Sequence, residues 1–254
     1  AAPVLEYGAV TLPDIPVGNV NIYCIGNEES IGMTYKNETI MSSLGSEPKL
    51  IVIDDTNGFF PKANAEIDEK GLRISGYRMN VAVSDGMGAV NIDLERTVVK
   101  LNLVVENATT SDLTLDGISF GKFSGDRFYM FPTDRLDVPS DTQYYPLDFG
   151  TMADAGVSAG WSVPGRSDSE PYRVYIYPTY AYTSGLGDNP YWISLYLSPE
   201  NLEYEQGTFG LGYNSFRRNT QVNIRARITS TTDVLIDFEV LPWDEYTVNV
   251  PDFE

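Results

Sequence analysis

Apolar and polar residues alternate with a period of two along most of this chain. Residues 95–107 (ERTVVKLNLVVEN) are the clearest example, because every second position from 99 to 105 is apolar: Val99, Leu101, Leu103 and Val105. The positions between them include Lys100 and Asn102, which would lie on the opposite face. This alternation is typical of a half-buried β-strand, whose successive side chains point to opposite faces of a sheet.

Two late segments alternate in the same way and are close enough in sequence to form a hairpin. Residues 219–230 and 233–243 each place apolar side chains at every second position, and the polar link between them predicts an antiparallel turn. Further strands are predicted at 20–26, 49–54, 72–83, 89–94, 112–120, 172–182 and 191–198. Turns rich in Gly, Asn, Asp and Pro separate these segments, and a sustained helical period occurs almost nowhere. The predicted fold class is therefore all-β.

One segment has the composition of a link between domains. Residues 132–146 are polar, contain three prolines and lack a clean alternation. We therefore predict two β-sandwich domains of similar size, with residues 1–136 in the first and residues 137–254 in the second. No repeat with a fixed period is visible, which argues against a propeller or a solenoid.

The composition excludes several classes of partner and of chemistry. With 36 acidic and 17 basic residues the net charge is −19, so nucleic acid and anionic membrane surfaces are not expected partners. The absence of histidine excludes Ser-His-Asp and Cys-His catalysis and His-ligated zinc. The one cysteine, Cys24, lies in an apolar run and is predicted to pack as a small hydrophobe. We expect no cofactor and no metal site, and the sequence has no apolar run of about 20 residues that would form a transmembrane segment.

Two other functions stay open on the residues alone. Acidic residues are abundant enough for the carboxylate pair of a glycosidase, although their pairing distance is invisible in a sequence. Residues 172–197 are dense in tyrosine, and Tyr177, Tyr180 and Trp192 are candidates for stacking on sugar rings in a carbohydrate-binding module. The same residue types also suit strands, where the ring is half-buried and the tyrosine hydroxyl stays in water.

The last residues, 241–254 (LPWDEYTVNVPDFE), combine a rigid Pro-Trp pair with a strand-like pattern. Tyr246, Val248 and Val250 occupy every second position, and Phe253 follows them. An extended segment with this pattern can add to the open edge of another sheet. It can equally be the last strand of its own domain.

Two of these segments together resemble the fimbrillin-like proteins of Bacteroidales, the subunits of type V pili. In that family an Arg-led strand with an apolar alternation belongs to the first domain. The second domain ends with an Arg-Asn strand, a hairpin and a strand that closes on Pro-Trp. The present chain has these features in the same order, in residues 94–107 and 217–243. The Tyr-rich middle resembles the family only loosely.

The resemblance implies two tandem transthyretin-like β-sandwich domains and a non-enzymatic role as a structural subunit of a cell-surface fimbria. It further implies a lipidated precursor, association with the outer membrane, and assembly with other fimbrial subunits by strand exchange. The tail after Trp243 would then be the donor strand, with Tyr246, Val248, Val250 and Phe253 filling pockets of the neighbour. An adhesive role towards a host glycan or a host protein is a further expectation, and a secreted carbohydrate-binding β-sandwich is the alternative. The residues do not distinguish a stalk, a tip or an anchor subunit.

The positions of the arginines bear on maturation, because in this family cleavage after an arginine removes the first strand of the first domain. The first arginine here is Arg73, inside the presumed first domain, and no cysteine opens the sequence to take a lipid. We therefore expect a chain that is already processed or trimmed. Arg217 and Arg218 are further protease targets, which the folding of the surrounding strand would protect.

Overall fold

The computed structural model describes residues 15–27, 52–54, 71–125, 127–131, 138–149, 161–179, 192–198, 202–208, 216–230 and 234–242. These ranges contain β-strands and no helix, so the predicted all-β class is confirmed for them. A helix long and apolar enough to span a bilayer is accordingly not found in the described residues. The strands are β1 (Gly18–Gly26), β2 (Val52–Asp54), β3 (Ile74–Val83), β4 (Glu95–Arg96), β5 (Val99–Asn107), β6 (Leu113–Gly125), β7 (Arg127–Tyr129), β8 (Tyr144–Phe149), β9 (Trp161–Val163), β10 (Ser167–Asp168), β11 (Tyr172–Ile176), β12 (Trp192–Ser198), β13 (Leu202–Thr208), β14 (Thr220–Ile228) and β15 (Val234–Pro242).

The described strands form four open sheets. Sheet A has the order β1-β3-β4, and sheet B pairs β2 with β7. Sheet C has the order β10-β5-β14-β15, with β11 also paired to β5. Sheet D has the order β13-β12-β6-β8, with β9 also paired to β6.

The buried side chains of sheets C and D form one hydrophobic core. β5 supplies the apolar positions that its alternation predicts, and all of them are fully buried: Val99, Leu101, Leu103 and Val105. Sheet D contributes residues of β6 and β12, among them Phe120, Ile193 and Leu195. Removing these side chains from water is the main favourable contribution to the stability of this sandwich.

β14 lies in the interior of sheet C, between β5 and β15. It pairs with β5 in a parallel ladder, although 121 residues separate the paired positions Asn102 and Asn223. Across this ladder Asn102 Nδ2 donates a hydrogen bond to Asn223 Oδ1 at 3.1 Å. On its other side β14 forms the predicted antiparallel hairpin with β15, which is confirmed.

Strands from both sides of the predicted domain boundary share this core. β5 and β6 precede residue 136, whereas β8 to β15 follow it, and the two groups pair within sheets C and D. A division at 136/137 would separate strands that pair with each other. The division of the chain into two tandem transthyretin-like domains stays a prediction.

Most of the predicted strands are confirmed, but the strand predicted at 89–94 is wrong. Val90, Ile92 and Leu94 are half-buried and the residues between them are exposed, as the alternation predicts, yet the segment forms no strand. The main chain of the segment instead lies directly against β3. A Cβ atom added at Gly76 of β3 would overlap the main-chain oxygen of Asp93. Alternation predicts which side chains are covered, whereas a strand also needs a backbone partner.

Five strands lie outside the predicted segments: β7, β8, β9, β10 and β13. β8 contains Pro146, which interrupts the alternation. β9 has three residues and β10 has two, which are too few to show a period.

Candidate functional site

β1 is a long edge strand that lacks the residues which normally keep such an edge unpaired. Its nine residues, GNVNIYCIG, include no charged residue and no proline. Edge strands of soluble proteins usually carry these residues, because an unpaired row of N–H and C=O groups invites another strand. Among the described strands β1 pairs only with β3, so its other side is the edge of sheet A.

The other described edge strands of five or more residues all carry a charge or a proline. These residues are Pro146 and Asp148 in β8, Arg173 in β11, Glu203 and Glu205 in β13, and Asp237, Glu239 and Pro242 in β15. β1 is therefore the exception among the described edges of this length.

The side chains of β1 are only partly covered. None of its residues is buried, and the apolar side chains of Ile22 and Ile25 are half-buried. Its neighbour β3 buries Ser75, Gly76 and Val81, and its other positions are half-buried or exposed. A further strand at this edge would remove apolar surface of β1 from water.

Aromatic residues support the centre of β1. The ring of Tyr23 lies 6.2 Å from that of Tyr77 and 5.3 Å from that of Phe131. The Tyr23 hydroxyl donates a hydrogen bond to Met79 Sδ at 3.1 Å. Burial raises the pKa of Tyr23, and the neighbouring Tyr77 raises it further. Burial also raises the pKa of the half-buried Cys24, so its thiol stays protonated near neutral pH.

A bulge divides the pairing of β1 with β3 into two parts. The register shifts between Val20 and Ile22, and opposite this shift Asn80 has a φ of 55°. The Asn80 N–H donates a hydrogen bond to Asn21 Oδ1 at 3.0 Å, which holds the bulge in place. Residues 22–26 then pair regularly with β3, so this half of β1 presents a regular edge.

A buried arginine next to β14 joins several parts of the fold. Arg218 is 5% exposed, and its Nε donates a hydrogen bond to the carbonyl oxygen of Arg96 at 3.2 Å. Its Nη1 donates to the carbonyl oxygen of Met130 at 3.0 Å. Its Nη2 donates to Ser75 Oγ at 2.7 Å and to the carbonyl oxygen of Glu95 at 3.0 Å.

The sequence pattern marks Arg218 only as a protease target that folding would protect, and its network was not predicted. The available signal is its place directly before an alternating core strand, in the Arg-Arg-Asn sequence 217–219. Asn219 has a φ of 55°, a conformation that Asn adopts more readily than most residues. The main chain therefore turns sharply here, and Arg218 is buried whereas Arg217 is exposed.

A second buried arginine, Arg73, is 1% exposed and lies against an aromatic pair. Its guanidinium is 5.5 Å from the centre of the Phe128 ring, which is a cation–π distance. Tyr177 stacks on Phe128 with 4.3 Å between the ring centres, and its side chain is hydrogen-bonded to Arg73. Burial lowers the pKa of Arg73, and the interaction with Tyr177 acts in the opposite direction.

The structure describes two of the three predicted sugar-stacking residues, Tyr177 and Trp192. Tyr177 follows β11 of sheet C and is 2% exposed, so it would have to leave its stack on Phe128 to contact a sugar. Trp192 is half-buried at the start of β12 in sheet D. Tyr180 lies outside the described residues, as do the predicted tail residues Tyr246, Val248, Val250 and Phe253. The stacking role stays a prediction.

Carboxylates of sheet C are engaged in surface ion pairs. Glu106 accepts hydrogen bonds from Arg225 at 2.8 Å and lies 3.1 Å from Arg227. Asp168 accepts from Arg225 at 2.9 Å. Such exposed pairs contribute little to stability. Within the described ranges no three or more His, Cys, Asp or Glu side chains are grouped so that they could hold a metal ion.

No protein-family model and no curated protein matches this chain. Its fold is similar to that of the tip fimbrial protein Mfa3 from Porphyromonas gingivalis with a C-terminal truncation. The TM-score is 0.55 at 14% identity, over 88% of this chain and 80% of that one. A candidate cell adhesion protein from Parabacteroides distasonis gives a TM-score of 0.57 at 12% identity, over 92% and 78% of the two chains. Another from Bacteroides ovatus gives 0.53 at 11% identity, over 96% and 76%.

These structural neighbours are fimbrial and candidate cell adhesion proteins of Bacteroidales. The resemblance inferred from residues 94–107 and 217–243 is confirmed as a likeness in fold. At these identities the likeness concerns the fold alone, and a shared fold does not by itself establish a shared function.

Proposed function

We propose that this protein is a structural subunit of a bacterial cell-surface fimbria that assembles by strand exchange. The observation that carries the proposal is the edge of sheet A, where β1 is long, uncharged and half-covered. The likeness in fold to a tip fimbrial protein supports it. Two tandem transthyretin-like domains, a lipidated outer-membrane precursor, and adhesion to a host glycan or protein belong to the same proposal.

In this proposal the edge of β1 accepts a strand from a neighbouring subunit. The incoming strand forms hydrogen bonds with the outward N–H and C=O groups of β1, and its alternate side chains cover half-buried residues. The donor is the tail, residues 244–254, in which Tyr246, Val248, Val250 and Phe253 would contact the acceptor. A strand rises about 3.3 Å per residue, so the tail is long enough to run along the whole of β1.

Charge favours this pairing over pairing at the edges of β8, β13 and β15, which carry acidic residues. The tail contains four acidic residues and no basic one: Asp244, Glu245, Asp252 and Glu254. The chain as a whole has a net charge of −19, so much of its surface repels such a segment. β1 has no charge, and like-charged pairs across strands are therefore absent at this edge.

Cys24 provides a direct test, because it is the single cysteine of the chain and lies in β1. The full chain is mixed with a synthetic peptide of residues 244–254 that carries Val248→Cys, under mild oxidation. We expect a mixed disulfide with Cys24, detected by mass spectrometry and on a non-reducing gel. A peptide of the same composition in scrambled order is the matched control. Equal capture of the two peptides would contradict docking at β1.

A second test measures assembly of the subunit itself. We expect denaturant-resistant oligomers of the exported precursor after treatment with an arginine-specific protease, and none from a chain that ends at Trp243. Asn19→Lys places a charge at an exposed position of β1 and should also prevent the oligomers, whereas Asn91→Lys, at an exposed position outside the strands, should not. Monomers from both the full and the shortened chain would count against the tail as donor.

A further inference from the structure

The Arg218 guanidinium has a partner for each of its N–H groups. Besides the four acceptors described above, Nη1 also points to the carbonyl oxygen of Tyr129 at 3.4 Å. A guanidinium has five N–H donors in a planar fork, and here five acceptors surround it. Four of the five acceptors are main-chain carbonyl oxygens, so the hydrogen bonds of Arg218 depend on where the backbone lies and not on the side chains of those residues.

These acceptors belong to segments that are far apart in sequence. Ser75 is in β3, Glu95 and Arg96 form β4, and Met130 follows β7. Arg218 itself precedes β14, the interior strand of sheet C. One side chain therefore connects sheet A, the end of sheet B and the sandwich.

Further hydrogen bonds hold the residues on either side of Arg218's network, namely Asn219 next to β14 and Ser75 in sheet A. The Asn219 N–H donates a hydrogen bond to the carbonyl oxygen of Val98 at 2.9 Å, and Arg96 Nη1 donates to Asn219 Oδ1 at 3.2 Å. On the side of sheet A, Ser75 Oγ donates to the carbonyl oxygen of Met130. The turn at 217–219 is thus held against β4 before β14 begins.

The network stabilises a charge that is out of water. The nearest carboxylate of the network is that of Glu95, whose Oε2 lies 3.6 Å from Arg218 Nε. The Glu95 side chain is 43% exposed. Carbonyl dipoles therefore supply most of the compensation for burying the guanidinium. Without Arg218, the carbonyl groups of two segments, residues 95–96 and 129–130, and the Ser75 hydroxyl would lose a donor at the same time, and leaving buried acceptors unsatisfied is costly.

We propose that Arg218 is the joint through which sheet A unfolds together with the sandwich as one cooperative unit. Sheet A has three strands and little buried apolar surface, and such a small sheet is at most marginally stable alone. The hydrogen bonds of Arg218 connect sheet A to the start of β14, whose apolar side chains are buried in the core of the sandwich. This inference concerns the folding of one chain and does not depend on strand exchange.

Hydrogen exchange measured strand by strand on the full chain tests the joint. In Arg218→Met we expect the amides of β1, β3 and β4 to exchange about 100-fold faster, with much smaller changes in β5 and β12. Thermal unfolding should separate into two transitions instead of one. Arg218→Lys should behave like Arg218→Met, because an ammonium group has only three donors and cannot match the planar fork.

The matched control is the exposed neighbour, Arg217→Met, which removes the same charge outside the network and should leave exchange in sheet A unchanged. Equal acceleration in all strands of Arg218→Met, or no acceleration in sheet A, would overturn the proposal, as would an equal effect of Arg217→Met. If Arg218→Met does not fold, Ser75→Ala is the milder variant, because it removes one acceptor of Arg218 and the hydrogen bond that Ser75 Oγ donates to Met130. It should accelerate exchange about 10-fold in sheet A alone, and uniform or absent acceleration there would refute the joint.

Discussion

β1 and β5 have the same length and the same kind of alternation, but they occupy opposite environments. Each has nine residues, and in each the apolar residues recur at every second position over part of the strand. β5 has neighbours on both sides and is fully buried at every second position from 99 to 105, whereas β1 has one described neighbour and no buried residue. The difference arises from what covers each strand, and not from its own sequence.

The comparison separates two uses of an apolar strand. In the sandwich the apolar side chains of β5 are already removed from water and contribute to stability within one chain. In sheet A the corresponding contribution of β1 is incomplete, so covering this strand from outside would still release free energy. Substitutions in β5 and in β1 should therefore lower the free energy of unfolding by different amounts. This difference should change when another strand pairs with the edge of β1.

The largest loss of stability is expected in the sandwich core. Leu103→Ala removes a fully buried side chain from the centre of β5 and should lower the free energy of unfolding by about 2 to 5 kcal/mol. Urea denaturation followed by tryptophan fluorescence measures this change. A cost below about 1 kcal/mol would mean that the core around β5 rearranges readily, and the contrast with β1 would fail.

Asn107, at the end of β5, should show that the sandwich also depends on buried polar contacts. Its Nδ2 donates hydrogen bonds to the carbonyl oxygens of Ser111 and Val163 at 2.8 and 2.9 Å, and its Oδ1 accepts from Thr109. Asn107→Ala leaves these groups without a partner and should cost about 2 to 3 kcal/mol in thermal unfolding. The exposed Asn91→Ala is the control, and similar costs for the two variants would contradict this role.

Gly76→Ala probes close packing in sheet A. An added methyl group would overlap the main chain at Asp93, which has to move, so we expect a loss of about 1 to 3 kcal/mol. Gly88→Ala is the matched control, because a Cβ atom there meets nothing within 4 Å. Differential scanning calorimetry compares the two variants. Equal melting temperatures would show that the segment 89–94 is not closely packed against β3 at Gly76.

Alkaline pH should weaken the sandwich through Tyr172, whose pKa is raised by burial above its ordinary value of 10.0. Above pH 10 the unfolded chain loses this proton while the folded chain keeps it, so stability is fully present below pH 10 and falls as the pH rises. The slope from this residue is at most about 1.4 kcal/mol per pH unit. Urea denaturation from pH 8 to 11 should show a smaller decline in Tyr172→Phe, and an unchanged decline would refute this assignment.

The smallest effect is expected in β1. Ile22 is half-buried, so Ile22→Ala should cost about 1 kcal/mol, less than Leu103→Ala. The cost should increase when the tail peptide of residues 244–254 is present at a saturating concentration, because the edge is then covered. Urea denaturation with and without the peptide makes this comparison. An identical cost in both conditions would mean that the peptide does not cover β1.

The sequence predicted the interior strands of the sandwich because they are long and regularly alternating. It could not predict that β5 pairs with β14, since alternation specifies a face and not a neighbour. The edge of β1 could be recognised only after the sheets were known, although its lack of charge is visible in the sequence. Arg218 was missed because an arginine is usually exposed, and only the fold brings five acceptors to it.

The parallel pairing of β5 with β14 also determines when the fold can be completed during synthesis. Positions 121 residues apart must meet, so β5 leaves the ribosome long before its central neighbour exists. Pairings of such high contact order form slowly, and an apolar strand without a neighbour is prone to aggregate while it waits. A chaperone that holds extended apolar segments would therefore increase the yield of folded protein most when it binds nascent chains that end between β5 and β14.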